Sequence, residues 1–165
     1  MRRDAVSEVV VGEGTADGIE QVYRQHGQAV WRSVFAYAGD REVADDAVAE
    51  AFAQALRRGE AIEAPLPWIW RTAFRLAAGA LKDRGWGGTP LRAEDSYELP
   101  QPASDLVAAL RRLSPKQRAS VILHHYAGYP VGEVANILGS TPAAVRVHLY
   151  RGRARLRTLL GDDDD

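Results

Sequence analysis

Apolar residues recur at intervals of three, four and seven over most of this chain, the spacing of helices buried along one side. Ile19, Val22, Tyr23, Val30, Val34 and Phe35 follow it, with Trp31 adding bulk, and predict an amphipathic helix or helix pair running to about Ala38. Gly39-Asp40 breaks the pattern. Residues 41–56 are nearly all helix formers, with Ala44, Val48, Ala51, Phe52 and Ala55 on one face. Residues 57–67 contain Gly59, Pro65 and Pro67 and are expected to form a loop. A further amphipathic helix is expected over 68–82. Its buried centre would be Ile69, Ala73, Leu76 and Ala80, with Trp70 and Ala77 at the margin.

The period then lapses. Residues 84–104, RGWGGTPLRAEDSYELPQPAS, hold three Gly and three Pro and predict a linker between two domains, within which Trp86 is expected to dock. Helical spacing resumes over 105–113 through Leu106, Leu110 and Leu113. Ser114-Pro115 reads as a helix cap and first residue, opening a helix to about Tyr126 that buries Ala119, Ile122 and Leu123. Residues 1–18, polar and aperiodic, are expected to be a flexible tail.

Residues 129–160, YPVGEVANILGSTPAAVRVHLYRGRARLRTLL, carry the most specific local grammar. A first short helix would point Val134, Ala135 and Leu138 inward and end at Gly139. Ser140 or Thr141 caps a second helix with Pro142 in its first turn, where a missing N–H is harmless. At 100° per residue Val145, Leu149, Gly152 and Leu156 form a buried seam. Ala143, Val147, Tyr150 and Ala154 lie opposite, edged by Arg146, Arg151 and Arg153. Short side chains in the centre allow close approach to base edges, and guanidinium groups at the edges reach guanine or phosphate. The pattern predicts a helix-turn-helix with a DNA-facing second helix, the alternative being an ordinary helical hairpin with a solvated basic face.

Composition narrows the reading. The chain has 165 residues, 46% hydrophobic and 26% charged, enough for one domain or two small ones. It has no Cys, which excludes disulfides and thiolate metal sites in this sequence and fits a reducing compartment. The only apolar run near the N-terminus, Val9 to Val11, is too short for a signal peptide or a membrane span, so a cytoplasmic location without membrane insertion is expected. The net charge of −1 conceals segregation: residues 141–160 hold five Arg and no Asp or Glu, whereas acidic residues gather near 40–50 and in the 161–165 tail.

Three groups of residues carry candidate chemistry. Glu42, Asp46 and Glu50 form an acidic stripe with Asp45 beside it and no basic partner at i+4, either a solvated face or a docking surface for a basic partner. Trp68, Arg71, Thr72, Arg75, Gly79 and Lys82 are expected to point outward from the 68–82 helix. Three cations and a Trp suit a nucleic-acid backbone and an unstacked base, or else a Trp anchoring the preceding loop beside a solvated face. His124 and His125 are neighbours about 100° apart on a helix, unsuited to sharing a metal. No Walker loop, HExxH, GxSxG or dinucleotide fingerprint occurs, so neither an enzyme nor a cofactor or metal site is expected.

In this order the motifs resemble the extracytoplasmic-function class of bacterial sigma factors. VYRQHGQAVWRSVFAYAGDREVADDAVAEAFAQAL followed by PWIWRTAFRLAAGALKDR is similar to sigma domain two. The Leu-Ser-Pro-Lys-Gln-Arg opening at 113–118, the Glu-Val-Ala-x-x-Leu-Gly helix at 133–139 and the Arg-x-Arg-x-Arg-Leu ending at 151–156 are similar to sigma domain four. The resemblance implies an all-α protein of two small helical domains, domain two over 19–84 and domain four over 105–160; the flexible linker expected over 85–104 and an acidic tail over 161–165 lie outside it.

It also implies partners and roles. Core RNA polymerase would be met through Glu42, Asp45, Asp46 and Glu50 on the beta-prime clamp helices, with domain four near the beta flap. The minus-10 element would be met by Trp68, Arg71, Thr72, Arg75 and Lys82, and the minus-35 element by Thr141, Ala143, Arg146, Val147, His148, Tyr150, Arg151 and Arg155. An anti-sigma factor is implied as a further partner. Phe74-Arg75 stands where the family commonly has Arg-Asn, Gly79 where an acidic residue is frequent, and Ala144, Val147 and His148 where Thr, Ser and Arg are usual. These departures imply an unusual promoter, weaker selectivity or dependence on a second protein. A helix-turn-helix regulator acting without polymerase and a sigma-like interaction module are the alternatives.

Overall fold

The computed structural model describes residues 15–85 and 101–161, and among these every regular element is helical. The first helix, α1 (Ala16–Ala38), begins inside the expected N-terminal tail. The Thr15 hydroxyl accepts from the Gly18 N–H at 3.2 Å, Asp17 complements the first turn, and Gly18 and Ile19 are buried. The tail expectation for 15–18 is thereby corrected, and its residues 1–14 lie outside the described residues. One uninterrupted helix, rather than a pair, reaches Ala38. Gly39 ends it at φ 63, with its N–H on the Phe35 carbonyl.

Asp40 starts α2 (Arg41–Arg58) by accepting from the Val43 N–H at 3.1 Å. The 57–67 loop is shorter than expected. Arg57 and Arg58 belong to α2, Gly59–Ala61 form one 3₁₀ turn, and α3 (Pro65–Asp83) begins at Pro65, since both prolines fall in a first turn that needs no N–H donors. The buried face of α3 is also rotated from expectation. Ile69, Trp70, Ala73, Phe74 and Ala77 are buried, while Leu76 and Ala80 are only half-buried. The helix has neighbours on two sides, α1 and α2 on one and the helix-turn-helix on the other, so its apolar stripe widens toward the second neighbour.

In the second half, α4 (Gln101–Leu110) starts within the expected linker and ends before Leu113. Val107, Leu110 and Leu113 are buried, but Leu106 is 43% exposed, against its expected place on the buried stripe; the chain turns at 111–113, so that Leu113 is not on the same helical face. Trp86 lies outside the described residues. Ser114 and Gln117 form a reciprocal capping box for α5 (Pro115–Val121), which continues as a π-helical turn over Ile122–Tyr126 with the Ala127 N–H on the Ile122 carbonyl.

The helix-turn-helix consists of α6 (Val131–Leu138) and α7 (Pro142–Leu160). Ile137 is buried beside Val134 and Ala135, whereas Leu138, expected inward, is half-buried. Gly152 on α7 lets the helix approach α5, for an added Cβ there would lie 3.0 Å from Val121 Cγ2. Buried residues of both halves share one continuous core.

The two halves are joined by arginines that serve helix ends. Neither α1 nor α6 has a basic residue in its last turn to meet its unpaired carbonyls. Arg118 of α5 donates through Nη1 to the Tyr37 carbonyl at 2.6 Å, and Arg111 reaches the Gly39 carbonyl at 3.5 Å. In return Arg71 of α3 donates through Nε and Nη2 to the Asn136 carbonyl at 3.3 and 3.2 Å. Trp70 meets Tyr129 edge-on at 5.7 Å beside this exchange.

Candidate nucleic-acid interface

Local chemistry fixes α7. The Thr141 hydroxyl, not Ser140, accepts from the Ala144 N–H at 3.2 Å, and Pro142 follows in the first turn. Val145, Leu149 and Gly152 are buried and Leu156 half-buried, so the helix is held by one side. The opposite side presents Val147 at 45% and Tyr150 at 72% exposure, with Thr141, Ala143, Arg146, Arg151 and Arg153 also exposed. Large apolar side chains left so open on a rigid, cation-edged helix form a surface suited to a groove.

Two residues of the expected minus-35 set are placed differently. His148 is half-buried on the flank facing Lys116 of α5 rather than on the outward face. Burial first, then Lys116 and Arg151, holds its imidazole below the ordinary histidine range. Arg155 remains exposed but donates through Nε to the Arg112 carbonyl at 3.1 Å, meeting the end of α4. Ala144 is half-buried as well, so of the three departures in this helix only Val147 lies fully on the open face.

The expected minus-10 set divides. Arg75 and Lys82 are exposed. Trp68 is half-buried with the Arg58 guanidinium 5.5 Å from its ring centre, which ties it to α2. Thr72 does not point outward: it is 9% exposed and its hydroxyl donates to the Trp68 carbonyl at 2.8 Å, a back-bond that occupies its polar atom. Arg71 is exposed yet engaged on Asn136 across the seam.

The four acidic residues all face solvent, but three have partners. Asp45 accepts from the Trp31 indole at 2.7 Å. Glu50 accepts from Gln54 at 3.0 Å and from Arg57 at 2.8 Å, which lowers its carboxyl below the ordinary value. Arg57 lies at i+7, so the stripe has a basic partner that inspection of i+4 alone misses. Glu42 lies 3.7 Å from Arg84, which also pairs with Asp40 at 2.8 Å. Asp46 is exposed beside them. His124 is turned to the Tyr129 carbonyl at 2.8 Å, and no group of three potential metal ligands occurs among the described residues.

Residues 22–87 match the family described as Sigma-70 region 2, and residues 103–156 match Sigma-70 region 4. The chain is an extracytoplasmic-function member of the sigma-70 family. This sigma factor is 29% identical to the ECF RNA polymerase sigma factor BldN of Streptomyces coelicolor, over 91% of the chain and 63% of that protein. It is 26% identical to the RNA polymerase sigma factor CarQ of Myxococcus xanthus over 91% of the chain and 93% of CarQ. Among solved structures its fold matches the sigma factor RpoE from Bartonella quintana, crystallised with the anti-sigma factor NepR. The TM-score there is 0.76 at 21% identity, covering 90% of this chain and all of the other. CnrH, in complex with the cytosolic domain of CnrY, matches with a TM-score of 0.72 at 21% identity over 93% and 94% of the two chains. No helix among the described residues is long and apolar enough to cross a membrane.

What the sequence did not disclose is the seam. Arg118 is 8% exposed, and its burial has no local marker, because a guanidinium donating to main-chain carbonyls needs no complementary side chain.

Proposed function

We propose that this sigma factor joins core RNA polymerase in the cytoplasm, reads two promoter elements and supports strand opening, leaving bond formation to the polymerase. The observation that carries this reading is α7: a helix fixed by Val145 and Leu149 presents Val147 and Tyr150 between arginines on an open face. Arg146, Val147, Tyr150 and Arg151, with Thr141 and Ala143 at the start of the helix, are assigned to the minus-35 element. Arg71, Arg75, Lys82 and the Trp68 edge are assigned to the minus-10 element. Asp46, with Glu42, Asp45 and Glu50, is assigned to the beta-prime clamp helices, and domain four to the neighbourhood of the beta flap. The complex of the sigma factor RpoE with the anti-sigma factor NepR supports an anti-sigma partner for this chain too.

The reading requires the seam to open. Promoter elements named for positions 10 and 35 are separated by more than two turns of duplex, on the order of 70 Å. Arg71 and α6, one from each proposed reader, are in hydrogen-bond contact. Run-off transcription with purified core polymerase tests the function: specific starts are expected. Duplex binding without dependence on polymerase would make the chain a conventional helix-turn-helix regulator, and core binding without starts would make it an interaction module.

A further inference from the structure

Where the two halves meet, α1, α3, α5, α6 and α7 line a half-open cavity of about 490 Å³. Its walls include Tyr37, Phe74, Ala119 and Ile137, all buried, which makes the interior apolar and partly aromatic. Arg71, Arg75, Lys116 and His148 also line it, and among the described residues no Asp or Glu does. Among the described residues neither Arg75 nor Lys116 has an ion-pair partner. The local positive field is felt at His148, whose imidazole is held low by burial and by the neighbouring Lys116. An apolar chamber with cations from separate helices, and no carboxylate among its described lining residues, is complementary to a ligand with an apolar body and a negative head.

We propose that this cavity is a binding site for a small amphipathic carboxylate, its apolar body against Phe74, Tyr37 and Ile137 and its head between Arg75 and Lys116. Size favours a small molecule over a protein segment. Binding pockets span about 300–1,000 Å³, and a helix about 10 Å across would fill this one with little more than a single turn. The ligand bridges α3 of one half to α5 and α6 of the other, so occupancy holds the seam closed. Resting on the promoter reading above, the same occupancy withdraws Arg71 and Arg75 from the minus-10 element.

The test is isothermal titration of the full chain with decanoate, alongside decan-1-ol, which has the chain without the charge, and acetate, which has the charge without the chain. Saturable one-to-one binding of decanoate is expected, with both controls weaker by about tenfold or more. Lys116→Glu, an exposed change, and Ala78→Phe, which fills the chamber from α3, should each weaken decanoate by about tenfold, with circular dichroism confirming that both variants fold. Equal binding of decan-1-ol, decanoate affinity unchanged in both variants, or no saturable binding would each overturn the site. The titration contains neither polymerase nor DNA, so its failure leaves the promoter reading standing, and a failed run-off assay leaves the site standing.

Discussion

Arg118 reaches across the seam and donates to the Tyr37 carbonyl at 2.6 Å while its guanidinium lies 5.6 Å from the Tyr37 ring centre. Its Nη2 also donates to the carbonyls of Arg111 and Leu113, both at 3.3 Å, so one side chain organises the turn it leaves and the helix end it meets. Burial pushes the Tyr37 phenol up to about 12 against the opposing pull of Arg118, and burial lowers the Arg118 guanidinium. Arg118→Ala strands buried carbonyls and should cost about 1.5–3 kcal/mol of stability. Urea denaturation checks this. A midpoint equal to that of the unsubstituted chain would show that Arg118 contributes nothing to the folded state.

Gly39 joins two demands at one position. Its φ of 63 is unfavourable for any residue with a Cβ, and a Cβ there would lie 2.7 Å from Arg111 Cδ. Gly39→Ala should therefore destabilise the chain by about 1–2 kcal/mol and also displace Arg111 from the Gly39 carbonyl. Thermal melting of Gly39→Ala and Arg111→Ala, singly and together, separates the two causes. Fully additive losses would mean that the side chain of Arg111 is not what the added methyl disturbs.

For α7, Arg151→Ala should weaken promoter duplex binding by about 1–3 kcal/mol if Arg151 contacts a base. Fluorescence anisotropy on cognate and scrambled duplexes is the measurement. Equal losses on both would assign Arg151 to phosphate instead.

On the acidic face, reversing Asp46 together with Glu42 and Glu50 to Lys should abolish co-purification with core polymerase while helicity is retained. Asp45 is left in place because its bond to the Trp31 indole would confound the result. Undiminished association would remove this face from the docking surface.

Acid should destabilise the protein through two histidines. The folded state holds His148 and His125 below the ordinary value of about 6.5. For His125 the causes are burial, then His124 and Arg153. Below that value the unfolded chain binds protons that the folded chain resists, so this part of the stability is complete above about pH 6.5 and falls as pH drops through the depressed folded values. His125 is exposed and His148 only half-buried, so the effect is small. His148→Gln should flatten the decline in melting temperature between about pH 6.5 and 5, and an unchanged slope would exclude His148 as a source.

The parts of this fold that were legible are those fixed by local chemistry. Ser114-Pro115, Thr141-Pro142 and the stop at Gly139 need only their immediate neighbours to cap or end a helix, and each could be read from a few residues. The buried face of α3 could not, because Trp70 is covered by Tyr129 of the second half and Phe74 by Tyr37 of α1, neighbours that a single helical period does not reveal. Thr72 was misread for a related reason: a threonine on an expected polar face can satisfy itself on its own backbone. The open face of α7 was legible through its charge pattern, whereas His148, Arg155 and Arg71 are placed by contacts between segments far apart in sequence.

The bonds that close the seam share an asymmetry. Arg118, Arg111 and Arg71 supply the donors as side chains, but the acceptors at Tyr37, Gly39 and Asn136 are main-chain oxygens. Every amino acid carries that oxygen. At Tyr37 and Asn136 the receiving residue can therefore drift in identity without erasing the acceptor, provided the backbone path is kept, whereas Gly39 is held by its φ of 63 and its closeness to Arg111. Mutational tolerance across this contact should thus be uneven, present at those two receiving positions and withheld from Gly39 and from the three arginines that give.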